Sequence, residues 1–302
     1  MQAELNAADL VRRFWTEYVE AKVYARTMEE RWLPRWAEEA DGDRLLDKLP
    51  GSGVGRVGYV IGTFSPITRA HVNLASQAAD EMSLGAVIFV TYPFLHIPGF
   101  HVEPINEWVR RMRHIPWEER IELMQQGVKD SGDDRLHVLV ESKPWYEESV
   151  VNWHIGDRLS TFWTGTWYLM RKVQWHIKQR FGDDIRFVFA CGADQFNASV
   201  DALLYAEGTS DAFRDYSIAE HLAIHDVYAF PRAGDEGDVL EEFVAPFGSE
   251  HGVVIGSPLP DTRLSATHVR FQRLEEDRRL EDYVTSGVAE RIREKGLWGF
   301  SH

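Results

Sequence analysis

From residue 57 onward, short apolar runs alternate with longer stretches whose apolar residues recur at helical spacing. The runs predict strands over 57–61, 86–91, 135–140, 185–190, 226–230 and 252–255. The stretches predict helices over about 70–83, 117–129, 158–180, 217–224, 265–276 and 281–294. Strand and helix in alternation is the pattern of an α/β fold, a Rossmann-like doubly wound parallel sheet with helices on both faces. Such sheets bind ligands at the carboxyl ends of their strands. Upstream, residues 8–40 show helical spacing, and Pro34 ends or kinks a helix there. Residues 41–56 carry Asp, Gly and Pro and close on Pro50-Gly51-Ser52-Gly53-Val54-Gly55, a linker signal. The chain thus divides into a helical N-terminal extension with its linker (1–55) and a main domain (56–302). The extension reads as a packed structural appendage. A lid or an oligomerisation arm is the other reading, and a homo-oligomer stays open.

Composition narrows the classes. With 302 residues, 44% hydrophobic and 27% charged, the chain suits a soluble globular protein. No apolar run approaches the ~18 residues of a membrane span. The start, Met1-Gln2-Ala3-Glu4-Leu5-Asn6, lacks the basic-then-apolar form of a signal peptide. A single cysteine, Cys191, excludes an intrachain disulfide and a cysteine-rich metal site, so a cytoplasmic location is expected. The net charge of −15 argues against a general nucleic-acid binder. An anionic ligand would need a local basic pocket.

Three segments offer one. In the first, the strand Val57–Ile61 turns through Gly62-Thr63-Phe64-Ser65-Pro66-Ile67 into Thr68-Arg69-Ala70-His71, the start of a helix. A strand turning through small residues into a helix presents backbone N–H groups to an anion. A protonated histidine in the first turn would donate to a phosphate oxygen. The second is Phe187-Val188-Phe189-Ala190-Cys191-Gly192-Ala193-Asp194, a strand ending in small residues and an acid. The third is Leu264-Ser265-Ala266-Thr267-His268-Val269-Arg270, in which Ser265 can cap a helix carrying Thr267 and Arg270. A Ser-His-Asp triad is not evident. Cys191 is expected to pack, since a buried thiol is usually inert.

The three segments resemble, in this order, the GxFxPxTxxH, GAD and (I)SxTxxR blocks of the nucleotidylyltransferase superfamily. The resemblance is strongest to nicotinamide/nicotinate mononucleotide adenylyltransferases of the eukaryotic type, over roughly residues 56–298. It implies an enzyme that joins ATP to a pyridine mononucleotide and releases pyrophosphate, with Mg²⁺ carried on the ATP phosphates. It implies that Gly62, Thr63 and Phe64 line the turn under the phosphates. Thr68 and His71 would face the α/β-phosphates, and Ser265, Thr267 and Arg270 would hold the β/γ-phosphates. His71, Thr68 and Arg270 are the implied catalytic set. Gly192 and Asp194 would serve the dinucleotide, although Asp194 also reads as a helix N-cap.

For the acceptor, Trp145 in Lys143-Pro144-Trp145 resembles the family tryptophan that stacks on the pyridine, a contact akin to cation–π attraction. Core packing is its other reading. Leu204 and Tyr205 stand where the family has a second aromatic, and Arg232 completes the acceptor set at the edge of a solvated turn, 232–238. Trp163, Trp167 and Trp175 read as core. The chain departs from the family in having no lysine between Gly51 and Val128. Arg110, Arg111 and Arg113 are the available substitutes, with Arg111 taken into the ATP set, although arginine differs from lysine in reach and geometry. His96 and His101 lack a third ligand, so no protein-held metal is expected. The departure leaves two alternatives standing: transfer from CTP or to another phosphorylated acceptor, and non-catalytic dinucleotide binding.

Overall fold

The computed structural model describes residues 55–91, 110–140, 174–192, 226–231, 253–258, 264–274 and 278–301. Six strands are described: β1 (Arg56–Gly62), β2 (Ala86–Thr91), β3 (Leu136–Val138), β4 (Arg186–Gly192), β5 (Asp226–Phe230) and β6 (Val253–Ile255). Helices among the described residues include α1 (Arg69–Glu81), α2 (Trp117–Ser131), α3 (Ala266–Arg270), α4 (Leu280–Tyr283) and α5 (Ser286–Glu294), the last followed by a 3₁₀ turn, Leu297–Gly299. The strands form one sheet in the order β3-β2-β1-β4-β5-β6, and every pair is parallel. The fold is therefore the Rossmann-like α/β sheet that the alternation predicts.

Every residue of β2 is buried, as are Val57, Tyr59 and Val60 of β1. Strands covered on both faces need continuous apolar sequence, and these have it. Ile88 is fully buried in mid-strand; Ile88→Ala would cost about 2–5 kcal/mol through lost transfer energy and the cavity left behind. Helix α1 turns Val72, Leu74, Ala75, Ala78 and Ala79 toward the core. Helix α2 buries Arg120, Ile121, Leu123, Met124 and Gly127. A Cβ on Gly127 would lie 2.9 Å from Ile67 Cγ2, so the glycine lets α2 press against the turn that follows β1.

In this strand order the chain runs outward from β1 in both directions, to β2 and β3 on one side and from β4 to β6 on the other. The reversal opens a crevice beyond the carboxyl ends of β1 and β4. Gly62 ends β1 and Gly192 ends β4, so the first two sequence segments leave the sheet on either side of that crevice.

Two helices differ from expectation. The one predicted over 265–276 stops at Arg270. Gln272 takes a left-handed φ of 52°, and its amide reaches the Trp298 carbonyl at 2.9 Å. The one predicted over 281–294 breaks into α4 and α5, because β-branched Val284 and Thr285 are extended, with ψ of 166° and 161°. Arg69 Nε donates to the Glu281 and Val284 carbonyls at the break, 2.8 and 3.0 Å away. Strand bounds shift by up to two residues. Of the helix predicted over 158–180, residues 174–181 are described and helical. The helix predicted over 217–224 and the extension up to residue 54 lie outside the described residues. No helix among the described residues is long and apolar enough to cross a membrane.

Candidate active site

Between β1 and α1 the backbone passes through Thr63, Phe64, a cis Ser65–Pro66 peptide and Ile67 to Thr68, the N-cap of α1. Phe64 has a φ of 44°, in the left-handed region that costs a non-glycine residue roughly 1–2 kcal/mol. Its ring is buried and meets His71 and Phe89 edge-on, at 5.1 and 5.5 Å between centroids. A ligand would therefore meet the backbone of Phe64, while its ring braces His71 from below.

His71 is the third residue of α1. Its Nδ1 accepts from the Thr68 backbone N–H at 3.0 Å and lies 2.9 Å from Thr68 Oγ1. The bond belongs to a capping box, with histidine in place of the usual Glu or Gln. A nitrogen that accepts from an amide carries no proton, so in this geometry the ring is the neutral tautomer with its proton on Nε2. The sequence reading expects a protonated donor; the structure gives an N–H donor at Nε2 instead. Thr68 is only 1% exposed, and its hydroxyl lies against the His71 ring.

Arg270 is 3% exposed. Nη1 donates to the Ser65 carbonyl at 2.7 Å and Nη2 to Thr267 Oγ1 at 3.0 Å, while the buried Nε has no hydrogen-bond partner. Burial lowers its pKa to about 10, leaving it charged at neutral pH. No carboxylate among the described residues faces it. A desolvated cation with an unused donor is unfavourable until an anion arrives. Ser265 caps α3, its Oγ accepting from the Thr267 N–H at 3.1 Å, as the sequence predicts. The Thr267 hydroxyl accepts from Arg270 and keeps its own proton for a ligand.

The structure thus joins the first and third segments: Arg270 binds the carbonyl of Ser65 across 205 residues of sequence. It places Gly192 buried at the end of β4, beside β1, with buried Cys191 before it. Arg110 and Arg111 are exposed. Arg113 donates to the Trp298 carbonyl at 3.2 Å, and Trp298 Nε1 returns a bond to the Arg113 carbonyl at 2.7 Å. That arginine therefore fastens the C-terminal turn. Trp145, Asp194, Leu204, Tyr205 and Arg232 lie outside the described residues.

Sequence reasoning misses Arg120. This arginine is 0% exposed and its Nη1 donates to the Thr63 carbonyl at 3.1 Å and to Thr91 Oγ1 at 2.7 Å. The readable signal is its place on the buried stripe of α2, four residues before Met124 and seven before Gly127. Arg69, hidden inside the TxxH pattern, is likewise unremarked by motif reading, yet it anchors α1 to the end of α4.

The model of the Cytidylyltransferase-like family matches residues 59–199, which include the β1–α1 turn and the end of β4. The matched residues hold most of the first segment and all of the second, and Arg270 reaches the β1–α1 turn from further along the chain. A comparison with curated protein sequences finds no match. Among solved structures, similar chains include Plasmodium falciparum nicotinic acid mononucleotide adenylyltransferase complexed with APC, at 10% identity and a TM-score of 0.44. The same enzyme complexed with NaAD stands at 11% identity and a TM-score of 0.44. Each alignment covers 82% of this chain and 98% of that chain. Likeness at that level carries no weight on its own.

Proposed function

We propose that this nucleotidyltransferase is an adenylyltransferase that joins ATP to nicotinamide or nicotinate mononucleotide, giving NAD or its deamido form and pyrophosphate. The observation that carries the reading is Arg270, a buried guanidinium with no carboxylate facing it among the described residues, fixed beside Thr267 and the β1–α1 turn. Such a group is matched by phosphate oxygens. In the transfer, an oxygen of the acceptor phosphate forms a bond to the α-phosphorus of ATP. The bond from that phosphorus to the bridging oxygen breaks, and the electron pair leaves with pyrophosphate. The protein needs no nucleophile of its own; it aligns the phosphates and balances charge on the transferred group. His71 Nε2–H is the donor for the α-phosphate. Arg270, Thr267 and Ser265 hold the β/γ-phosphates. Among the described residues no cluster of acidic or imidazole side chains could hold a metal ion. On the family resemblance, Mg²⁺ would be carried on the ATP phosphates, where it would offset their charge. Trp145, Tyr205 and Leu204 are proposed to receive the pyridine, and Gly192, Asp194 and Arg232 the rest of the dinucleotide, on the family resemblance of their segments.

Cytidylyl transfer is the second reading, favoured by the family whose model matches. A mass-spectrometric product screen separates the two. ATP and CTP are each offered with a panel of phosphorylated acceptors, and pyrophosphate release is followed. A dinucleotide from ATP and a pyridine mononucleotide is expected. A cytidylyl product would replace that reading, and nucleotide binding without pyrophosphate release would leave a non-catalytic binder.

A further inference from the structure

Two buried guanidinium groups take the carbonyls on either side of Phe64: Arg120 that of Thr63 and Arg270 that of Ser65. Their consequences differ. The peptide after Ser65 belongs to Pro66 and has no N–H. The peptide after Thr63 is trans and carries the Phe64 N–H. In a planar trans peptide the carbonyl and the N–H point in opposite directions. Holding the Thr63 carbonyl against a fully buried side chain therefore turns the Phe64 N–H away from Arg120, at the carboxyl end of β1 beside the crevice. The left-handed φ of Phe64 means that this orientation has to be held. A second link holds it: Thr91 Oγ1 accepts from the same Nη1 and donates to the Thr63 carbonyl at 3.2 Å. Arg120, Thr91 and the Thr63 carbonyl close a ring at the adjoining ends of β1 and β2. Arg120 stands in the first turn of α2, where the helix dipole disfavours a cation, so its place is explained by these acceptors and not by the helix.

We propose that Arg120 is a positioning residue of the transfer site, locking the Thr63–Phe64 peptide so that the Phe64 N–H is a fixed donor to the transferred phosphate. The proposal rests on the nucleotidyl-transfer reading above. Without the guanidinium, the peptide rotates toward an unstrained conformation that sets its carbonyl against the phosphate.

Both bonds leave one nitrogen, so a lysine ammonium can make them in part where methionine cannot. Arg120→Met is expected to lower kcat on the order of 10²-fold, the loss typical of one such donor. The KM for ATP should stay within about threefold, and Arg120→Lys should recover about tenfold of the lost rate. Thr91→Val, which leaves the charge in place, should lower kcat by several-fold with the same KM. Amide hydrogen exchange should rise in residues 62–68 of Arg120→Met and stay unchanged in residues 121–128 of α2. A kcat within about threefold of wild type overturns the proposal. So does an Arg120→Lys enzyme no better than Arg120→Met with exchange raised throughout α2, the signature of a plain core residue. If the wild type transfers no nucleotide, the functional reading falls. The lock is then decided by exchange alone: a rise confined to 62–68 supports it, and no rise overturns it.

Discussion

Arginines at the two ends of the sheet are treated in opposite ways. At the amino end, Arg135 precedes β3 and binds Asp133 at 2.8 Å and Asp80 at 2.7 Å, with its side chain 32% exposed. The hydrogen bonds that its guanidinium donates to the two carboxylates push its pKa up. At the carboxyl end, no carboxylate among the described residues faces Arg270, its buried Nε has no hydrogen-bond partner, and burial pushes its pKa down. The first guanidinium is satisfied within the fold and contributes modestly to stability, as partly exposed ion pairs do. The second is held by a backbone carbonyl and a hydroxyl, which fix its place without cancelling its charge. That difference is what supports the proposed phosphate-binding role of Arg270.

If that contrast is right, substitutions at the carboxyl end should change turnover and those at the amino end should change stability. The largest effect is expected at His71. His71→Ala removes the Nε2–H donor and should lower kcat on the order of 10²–10³-fold, with a much smaller change in ATP affinity. Turnover within a few-fold of wild type would break the assignment of the β1–α1 turn. Next comes Arg270→Met, which should raise the KM for ATP by one to two decades, since charged hydrogen bonds contribute roughly 1.5–3 kcal/mol. Its melting temperature should change little, because the lost bond to Ser65 is offset by removal of a desolvated charge. A normal KM with a lowered melting temperature would make Arg270 a second Arg135.

The amino end sharpens the comparison through pH. Arg135 lowers the Asp133 pKa from 3.8 to about 2. A depressed carboxylate stabilises the fold above its unfolded pKa, and that contribution is lost as pH falls from about 4 to 2. It is about 1 kcal/mol after allowing for solvent screening of the partly exposed pair. Asp133→Asn should flatten this part of the acid-denaturation profile and leave kcat unchanged; an unaltered profile would remove the pair from the stability account. The smallest effect is expected for Lys295, which bridges Glu119 and Glu122 on the surface between α5 and α2. Lys295→Ala should cost about 0.2–1 kcal/mol, less at high salt, as measured by chemical denaturation.

The sequence alone was enough for the strand–helix alternation and the parallel sheet. Those features are local: apolar run length, turn residues and a capping serine can be read within a few positions, and Ser265 caps α3 as predicted. The break between α4 and α5 was missed because two β-branched residues interrupt a helix only weakly. What decides it is Arg69, some 212 residues away, binding the freed carbonyl of Glu281. Similarly, helix α3 ends early because Gln272 finds Trp298. Arg120 looked like an ordinary residue of an amphipathic helix, and only packing sets its guanidinium under Thr63. The tautomer of His71 also needed coordinates, since it depends on which ring nitrogen meets the Thr68 N–H. Sequence determined the order of the elements and which segments resemble a phosphate-binding set. Tertiary structure decided which guanidinium groups stay uncompensated and where the turn is held, because burial and hydrogen-bond partners are set by chain segments far apart in sequence.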